Sequence, residues 1–180
     1  DNLDLVKRNV PPRLVEEGRA FPFILASPQC PADSWWTEEL EALQALLDEI
    51  IAGHAVDETR LYLTGLSMGG YGTWAWAFRS PQRFAAAAPI CGGAPFLLRS
   101  SSAVERLRQT EHPILKLPIW AFHGQDDPVV PVSESELPIK NLQEAGGDAR
   151  LTLYAGVGHN AGERAYADSQ LYDWLLSHRR

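Results

Sequence analysis

Gly65-Leu66-Ser67-Met68-Gly69 joins a short β-rich run, Arg60 to Thr64, to a helix-compatible stretch, Tyr71 to Arg79. A chain that passes from strand to helix within so few residues strains its backbone at the central residue and brings strand and helix into van der Waals contact. Glycines at 65 and 69 are expected to leave room for that contact. The turn limits the fold to one in which strands lead into helices, and the rest of the chain repeats the alternation. That is the sign of an α/β protein with a mostly parallel sheet and helices on both faces.

The further elements follow from periodicity and breakers. Phe21 to Ala26 reads as a strand. Thr37 is expected to cap a helix whose apolar stripe is Leu40, Leu43, Leu46, Leu47, Ile50 and Ile51, with Glu38 and Glu39 in its first turn. Phe84 to Ile90, Leu117 to Phe122 and Arg150 to Tyr154 read as strands, the first opening into Cys91-Gly92-Gly93. A helix from about Leu137, with Pro138 in its first turn, is expected to end at Gly146-Gly147, and a last helix from about Ser169 to pack Leu171, Trp174 and Leu175. At 180 residues, 45% hydrophobic and 22% charged, the chain can bury a full core without disulfide or metal. No linker or repeat divides it, so residues 1–180 are expected to form one domain.

The turn at 65–69 also has chemistry. A serine at such an elbow has its Oγ raised above the sheet edge, and the Met68 N–H opens a helix aimed at the same space. Ser67 is thus placed to attack a carbonyl, with the Met68 backbone N–H stabilising the oxyanion. Serine is a weak nucleophile at neutral pH, so a base and an orienting acid are required, each on a loop after a later strand. The strand ending at Phe122 runs into His123-Gly124-Gln125-Asp126-Asp127-Pro128-Val129-Val130, and the strand ending at Tyr154 runs into Ala155-Gly156-Val157-Gly158-His159. The intervals leave room for about two βα units and then one, so all three candidates fall on the same rim. His159 is the expected base. Asp127 is preferred to Asp126 as its orienter because Pro128 fixes the chain after it and Val129-Val130 can anchor the loop; Asp126 is the alternative. His123 is expected to make a supporting hydrogen bond rather than transfer a proton, and His54, His112 and His178 are assigned no role.

Trp35 and Trp36 follow the first strand and are candidates for a pocket wall that favours an aromatic or flat acyl group, or for packing on a helix. Tyr71, Trp74 and Trp76 lie on the helix after the serine, where packing is expected. The formal charge of −7 argues against nucleic acid or an anionic membrane surface as a partner, and no apolar run is long enough to span a bilayer. The five histidines and two cysteines show no metal-ligand spacing, so neither a metal nor another cofactor is expected.

Gly-Leu-Ser-Met-Gly-Gly-Tyr-Gly-Thr-Trp at 65–74, His-Gly-Gln-Asp-Asp-Pro-Val-Val-Pro at 123–131 and Gly-Val-Gly-His at 156–159 resemble the α/β-hydrolase superfamily. More narrowly, the chain is similar to its dienelactone-hydrolase-like branch of phospholipase/carboxylesterases and predicted peptidases, which Ser-Pro-Gln-Cys-Pro at 27–31 and Pro-Ile-Cys-Gly-Gly at 89–93 also fit. The resemblance implies a serine carboxylic-ester hydrolase that works through an acyl-enzyme on short-chain or aromatic, acetyl- or feruloyl-type esters. Substrates would be small-molecule or polysaccharide-linked esters, with Gln29, Trp35 and Trp36 against them. A serine peptidase, or a hydrolase-like binding module of weak turnover, are the alternatives. The resemblance inclines towards a secreted or periplasmic protein. It also implies a strand ending in a His-Gly-x-Gly-type loop before residue 1, between the strand at 21–26 and the nucleophile strand, whose backbone N–H is the second oxyanion donor. Residues 1–180 are then a catalytic domain incomplete at its amino end, unless the two flanking strands close up against each other. The branch's strand order sets Cys30 and Cys91 several strands apart, so both are expected to be free thiols.

Overall fold

The computed structural model describes residues 2–180. Four parallel strands, β1 (Tyr62–Leu66), β2 (Ala86–Ile90), β3 (Ile119–Gly124) and β4 (Ala149–Tyr154), form a sheet in the order β1-β2-β3-β4. Eight α-helices accompany them: α1 (Val10–Glu16), α2 (Leu40–Gly53), α3 (Met68–Arg79), α4 (Phe96–Arg99), α5 (Ala103–Gln109), α6 (Ser133–Ala145), α7 (Gly162–Ala167) and α8 (Ser169–Ser177).

Successive side chains of a strand leave opposite faces of its sheet, and the two cores divide accordingly. Ala87, Ile119 and Ala121 join Leu40, Trp74, Trp76, Leu107, Ile139 and Leu142 on the face covered by α2, α3, α5 and α6. Ala86, Ala88, Ile90, Trp120 and Phe122 join Val10, Ala165, Leu171 and Leu175 on the face covered by α1, α7 and α8. Helices on both faces of a parallel sheet are what the alternation of elements implied. Alanines along β2 let the flanking helices approach closely. Pro89 has no N–H to give β3, and the donors on either side of it are the Ala87 N–H, to Pro118, and the Cys91 N–H, to Phe122.

The sheet is unequal across its width. β2 and β3 are buried along their whole length, whereas β1 is half-exposed throughout. The Ser67 N–H bonds the Ile90 carbonyl on the β2 side. By alternation the amides of Tyr62, Thr64 and Leu66 point the other way, where β1 has no strand partner among the described residues. A groove of about 1010 Å³ runs along that edge, walled on its far side by the segment from Phe21 to Pro28.

The strand expected at 21–26 therefore does not form. Phe21, Phe23 and Leu25 are half-buried and alternate with exposed Pro22, Ile24 and Ala26, as in a strand, but no neighbouring strand completes the ladder. The segment is held instead by rings: Phe21 stacks on Phe23 at 5.1 Å between centroids and tilts against Tyr172 of α8 at 5.2 Å. Nor do 21–26 and β1 close up on each other, because the groove separates them.

Two helix starts also differ from expectation. Thr37 does not cap α2, which begins at Leu40 with Glu39 as its flanking residue after a turn at 36–38. α6 begins at Ser133, so Pro138 sits inside it rather than in its first turn, and one intrahelical bond is forgone there. Its end at the left-handed Gly146, with φ of 97°, is as expected.

Candidate active site

Ser67 lies between β1 and α3 with φ 56° and ψ −116°, a conformation that a side-chain-bearing residue adopts only under constraint. The constraint is contact. A Cβ added at Gly65 would stand 2.3 Å from the Gly69 carbonyl oxygen, so strand and helix touch backbone to backbone there. The second close approach is at Gly70, not Gly69: a Cβ on Gly70 would meet the Ile90 oxygen at 2.5 Å, whereas one on Gly69 meets open space. α3 thus rests on the ends of both β1 and β2. Its first N–H, that of Met68, has no intrahelical acceptor and opens beside Ser67.

The loops after β3 and β4 interlock. Gln125 N–H donates to the Tyr154 carbonyl and Asp126 N–H to that of Val157, both at 3.0 Å. Gly124 is pressed against Gly158 so closely that a Cβ would stand 2.1 Å from its oxygen. This arrangement brings the three sequence candidates together. His159 Nε2 is 2.7 Å from Ser67 Oγ, and His159 Nδ1 is 2.8 Å from Asp127 Oδ2. A carboxylate only accepts, so Nδ1 carries the proton and Nε2 is left to accept that of the serine hydroxyl. Asp126 is exposed and takes no part, while the Asp127 carboxylate is fully buried. Burial of Asp127 works against its charge, but N–H donation from Val130 and Val129 and the His159 contact outweigh it and hold the pKa below the ordinary carboxylate value. Val130 is buried as the anchoring argument required; Val129 is exposed.

Cys91 directly follows β2 beside Asp127 and His159, buried, with a positive φ of 45°. Burial pushes its thiol up to about 11. Donor atoms of Cys91, Asp127 and His159 lie within 4.8 Å of one another. They suit a metal poorly, since the thiol is protonated at neutral pH and the other two groups are bonded to each other. Both cysteines are free. Among the described residues, no helix is long and apolar enough to cross a membrane.

The residues considered for substrate contact are placed differently from one another. Trp36 lines the groove that reaches Ser67 and packs where a Cβ on Gly72 of α3 would meet its own Cβ at 2.5 Å. Trp35 is exposed and Gln29 turns its side-chain amide to the Asn2 carbonyl, and neither lines the groove. Trp74 and Trp76 are buried in the core as expected. Gly70 falls within the motif at 65–74, but its close backbone approach to β2 has no sequence period. Ser135 carries no local motif, and its hydrogen bond to His123 crosses the fold.

A parallel sheet with helices on both faces, a strained serine between strand and helix, and a serine–histidine–carboxylate line at the strands' carboxyl ends define an α/β-hydrolase fold. Residues 32–170 match the dienelactone hydrolase family, and the chain belongs to that family. It is similar to Carboxylesterase SOBER1 of Arabidopsis thaliana, 29% identical over 140 residues that make up 78% of this chain and 58% of the relative. A segment of 55 residues, 31% of this chain, is 42% identical to Poly(3-hydroxyalkanoate) depolymerase C of Paucimonas lemoignei, of which it covers 13%. Among solved structures, a thermostable esterase superposes with a TM-score of 0.77 at 34% identity, over 97% of this chain and 48% of that one. The chain thus spans about half the length of that esterase.

Proposed function

We propose that this protein is a serine carboxylic-ester hydrolase. The observation that carries the reading is the continuous line from Ser67 Oγ to His159 Nε2 and from Nδ1 to Asp127 Oδ2, with Ser67 held at φ 56°. Ser67 Oγ attacks the ester carbonyl as His159 takes its proton, and the oxyanion is met by the Met68 N–H. Collapse expels the alkoxide, which receives the proton from His159 and leaves an acyl-serine. Water, deprotonated by the same imidazole, then releases the acid and restores Ser67. Asp127 holds the imidazole in the required tautomer and stabilises the imidazolium. The esterase names of similar proteins support an ester over an amide, and Trp36 beside the groove supports an aromatic or flat acyl group.

The second oxyanion donor belongs, in this reading, to a strand that lies in the groove and pairs with the outward amides of Tyr62, Thr64 and Leu66. Its support is the half-exposed edge of β1 and the strand-like but unpaired segment at 21–26. One such donor is worth about 10²–10³ in rate. Polypeptide carrying the strand should therefore turn over faster than residues 1–180 by about that factor.

The test is covalent labelling with a fluorophosphonate, together with turnover of p-nitrophenyl acetate and methyl ferulate. Ser67→Ala is expected to abolish labelling and lower kcat by about 10⁴-fold or more. Folded protein that is neither labelled nor active on esters would end the reading, and peptide cleavage with weak ester turnover would transfer it to a serine peptidase.

A further inference from the structure

The proposed esterase mechanism leaves the buried imidazole of His123 unused. His123 closes β3, and none of it reaches solvent. An imidazole so placed needs partners for both nitrogens. Nδ1 lies 2.8 Å from Ser135 Oγ in the first turn of α6. Nε2 faces two acceptors, the Val130 carbonyl at 3.0 Å and Asp127 Oδ2 at 3.3 Å. Neither acceptor can donate, so Nε2 bears the hydrogen and Nδ1 accepts from the Ser135 hydroxyl. Ser135 Oγ also stands 3.4 Å from the Gly92 carbonyl, in the loop that follows β2.

We propose that His123 is a positioning residue for the Ser67–His159–Asp127 relay, its Nε2–H directing the Asp127 carboxylate and pinning the loop that carries it. The proposal rests on the esterase reading above. Asp127 Oδ1 is filled by the N–H groups of Val129 and Val130, which belong to its own loop and move with it. His123 differs in kind, because it stands on a buried central strand. It grips Val130 by the carbonyl while Asp127 grips the same residue by its N–H, so loop and carboxylate are referred to the sheet rather than to each other. Through Ser135 the same imidazole ties in α6. The charged and titratable groups around it are Asp127 in direct contact, His159 and the Cys91 thiol beyond that carboxylate, Tyr71 from α3, and, from α6, Glu134, which is paired with Arg99. Loss of a residue that orients a functional group without touching the reacting atoms typically costs about 10–100-fold in activity.

Three variants test this. His123→Leu keeps the bulk and removes both polar groups, His123→Gln restores a donor at the place of Nε2, and Ser135→Ala removes the anchor on Nδ1. His123→Leu should lower kcat on p-nitrophenyl acetate about 10–100-fold with KM little changed. His123→Gln should recover most of the loss. The low-field proton resonance of the His159 Nδ1–H···Asp127 bond needs no substrate. It should be lost or shifted in His123→Leu, return in His123→Gln, and shift in Ser135→Ala. Folded His123→Leu with kcat and resonance unchanged would overturn the proposal, and so would equal impairment of the Leu and Gln variants, which marks a packing role alone. If His123→Leu does not fold, an unshifted resonance in folded Ser135→Ala overturns it. Wild-type protein that hydrolyses no ester would remove the esterase reading, and the resonance would then decide the role of His123 by itself.

Discussion

The two sides of the sheet are built on different terms. On one side every residue of β2 and β3 is buried, the loops after β3 and β4 share backbone hydrogen bonds, and a histidine with no solvent contact sits beneath the acid loop. On the β1 side the strand is half-exposed, its outer amides face a groove, and aromatic stacking on α8 holds the facing segment in place of a ladder. Ser67 stands on the boundary. The contrast is that the imidazole of His159 and the carboxylate of Asp127 are held from the closed side, whereas the space beside the serine belongs to the open one.

The largest expected effect separates the two sides by packing. Phe122→Ala, in β3, removes a ring with no exposed surface and should cost about 3–5 kcal/mol in chemical denaturation. Leu63→Ala, in half-exposed β1, should cost about 1 kcal/mol, because less apolar area is withdrawn from the core. Equal losses would break the comparison.

A smaller effect tests the boundary itself. Gly65→Ala drives a Cβ into the Gly69 carbonyl and should destabilise by about 1–3 kcal/mol, with loss of fluorophosphonate labelling as the elbow distorts. Gly69→Ala meets open space within a helix and should gain about 0.5–1 kcal/mol in thermal unfolding.

The smallest effect is electrostatic and belongs to the closed side. Asp127 has a pKa in the folded protein held below its unfolded value of about 3.9. Its carboxylate therefore contributes stability that is fully present above that unfolded value and is lost as pH falls through the lower, folded one. Wild type should exceed Asp127→Asn in stability at neutral pH, and the gap should narrow only in acid. A gap that is constant with pH would show that the charge is not what the buried amides hold.

The same contrast explains what could be read before the structure. The strands at 84–90 and 117–122 and the helix after Ser67 were legible because these elements carry dense apolar runs, and the strand at 150–154 because it alternates between glycine-bearing breakers. The convergence of Ser67, Asp127 and His159 was legible because each sits in a short loop directly after a strand, so that element order alone brings them to one rim. Phe21 to Ala26 was misread for a physical reason: alternation reports which side chains face a core, but a strand exists only with a neighbour to bond. Thr37 and Pro138 show the other limit, since helix starts depend on how the preceding turn is packed. The partners of His123 were out of reach, because Ser135 meets it through the fold and nothing in its local sequence marks the meeting.

The shared backbone bonds between the loops at 124–126 and 154–158 have a consequence for how such a fold can diversify. Imidazole and carboxylate ride on a single stitched platform, so a fluctuation that displaces one carries the other along and leaves the gap between them intact. On the esterase reading proposed above, lineages can then reshape the groove wall for acyl groups of different girth without retuning the transfer of the proton.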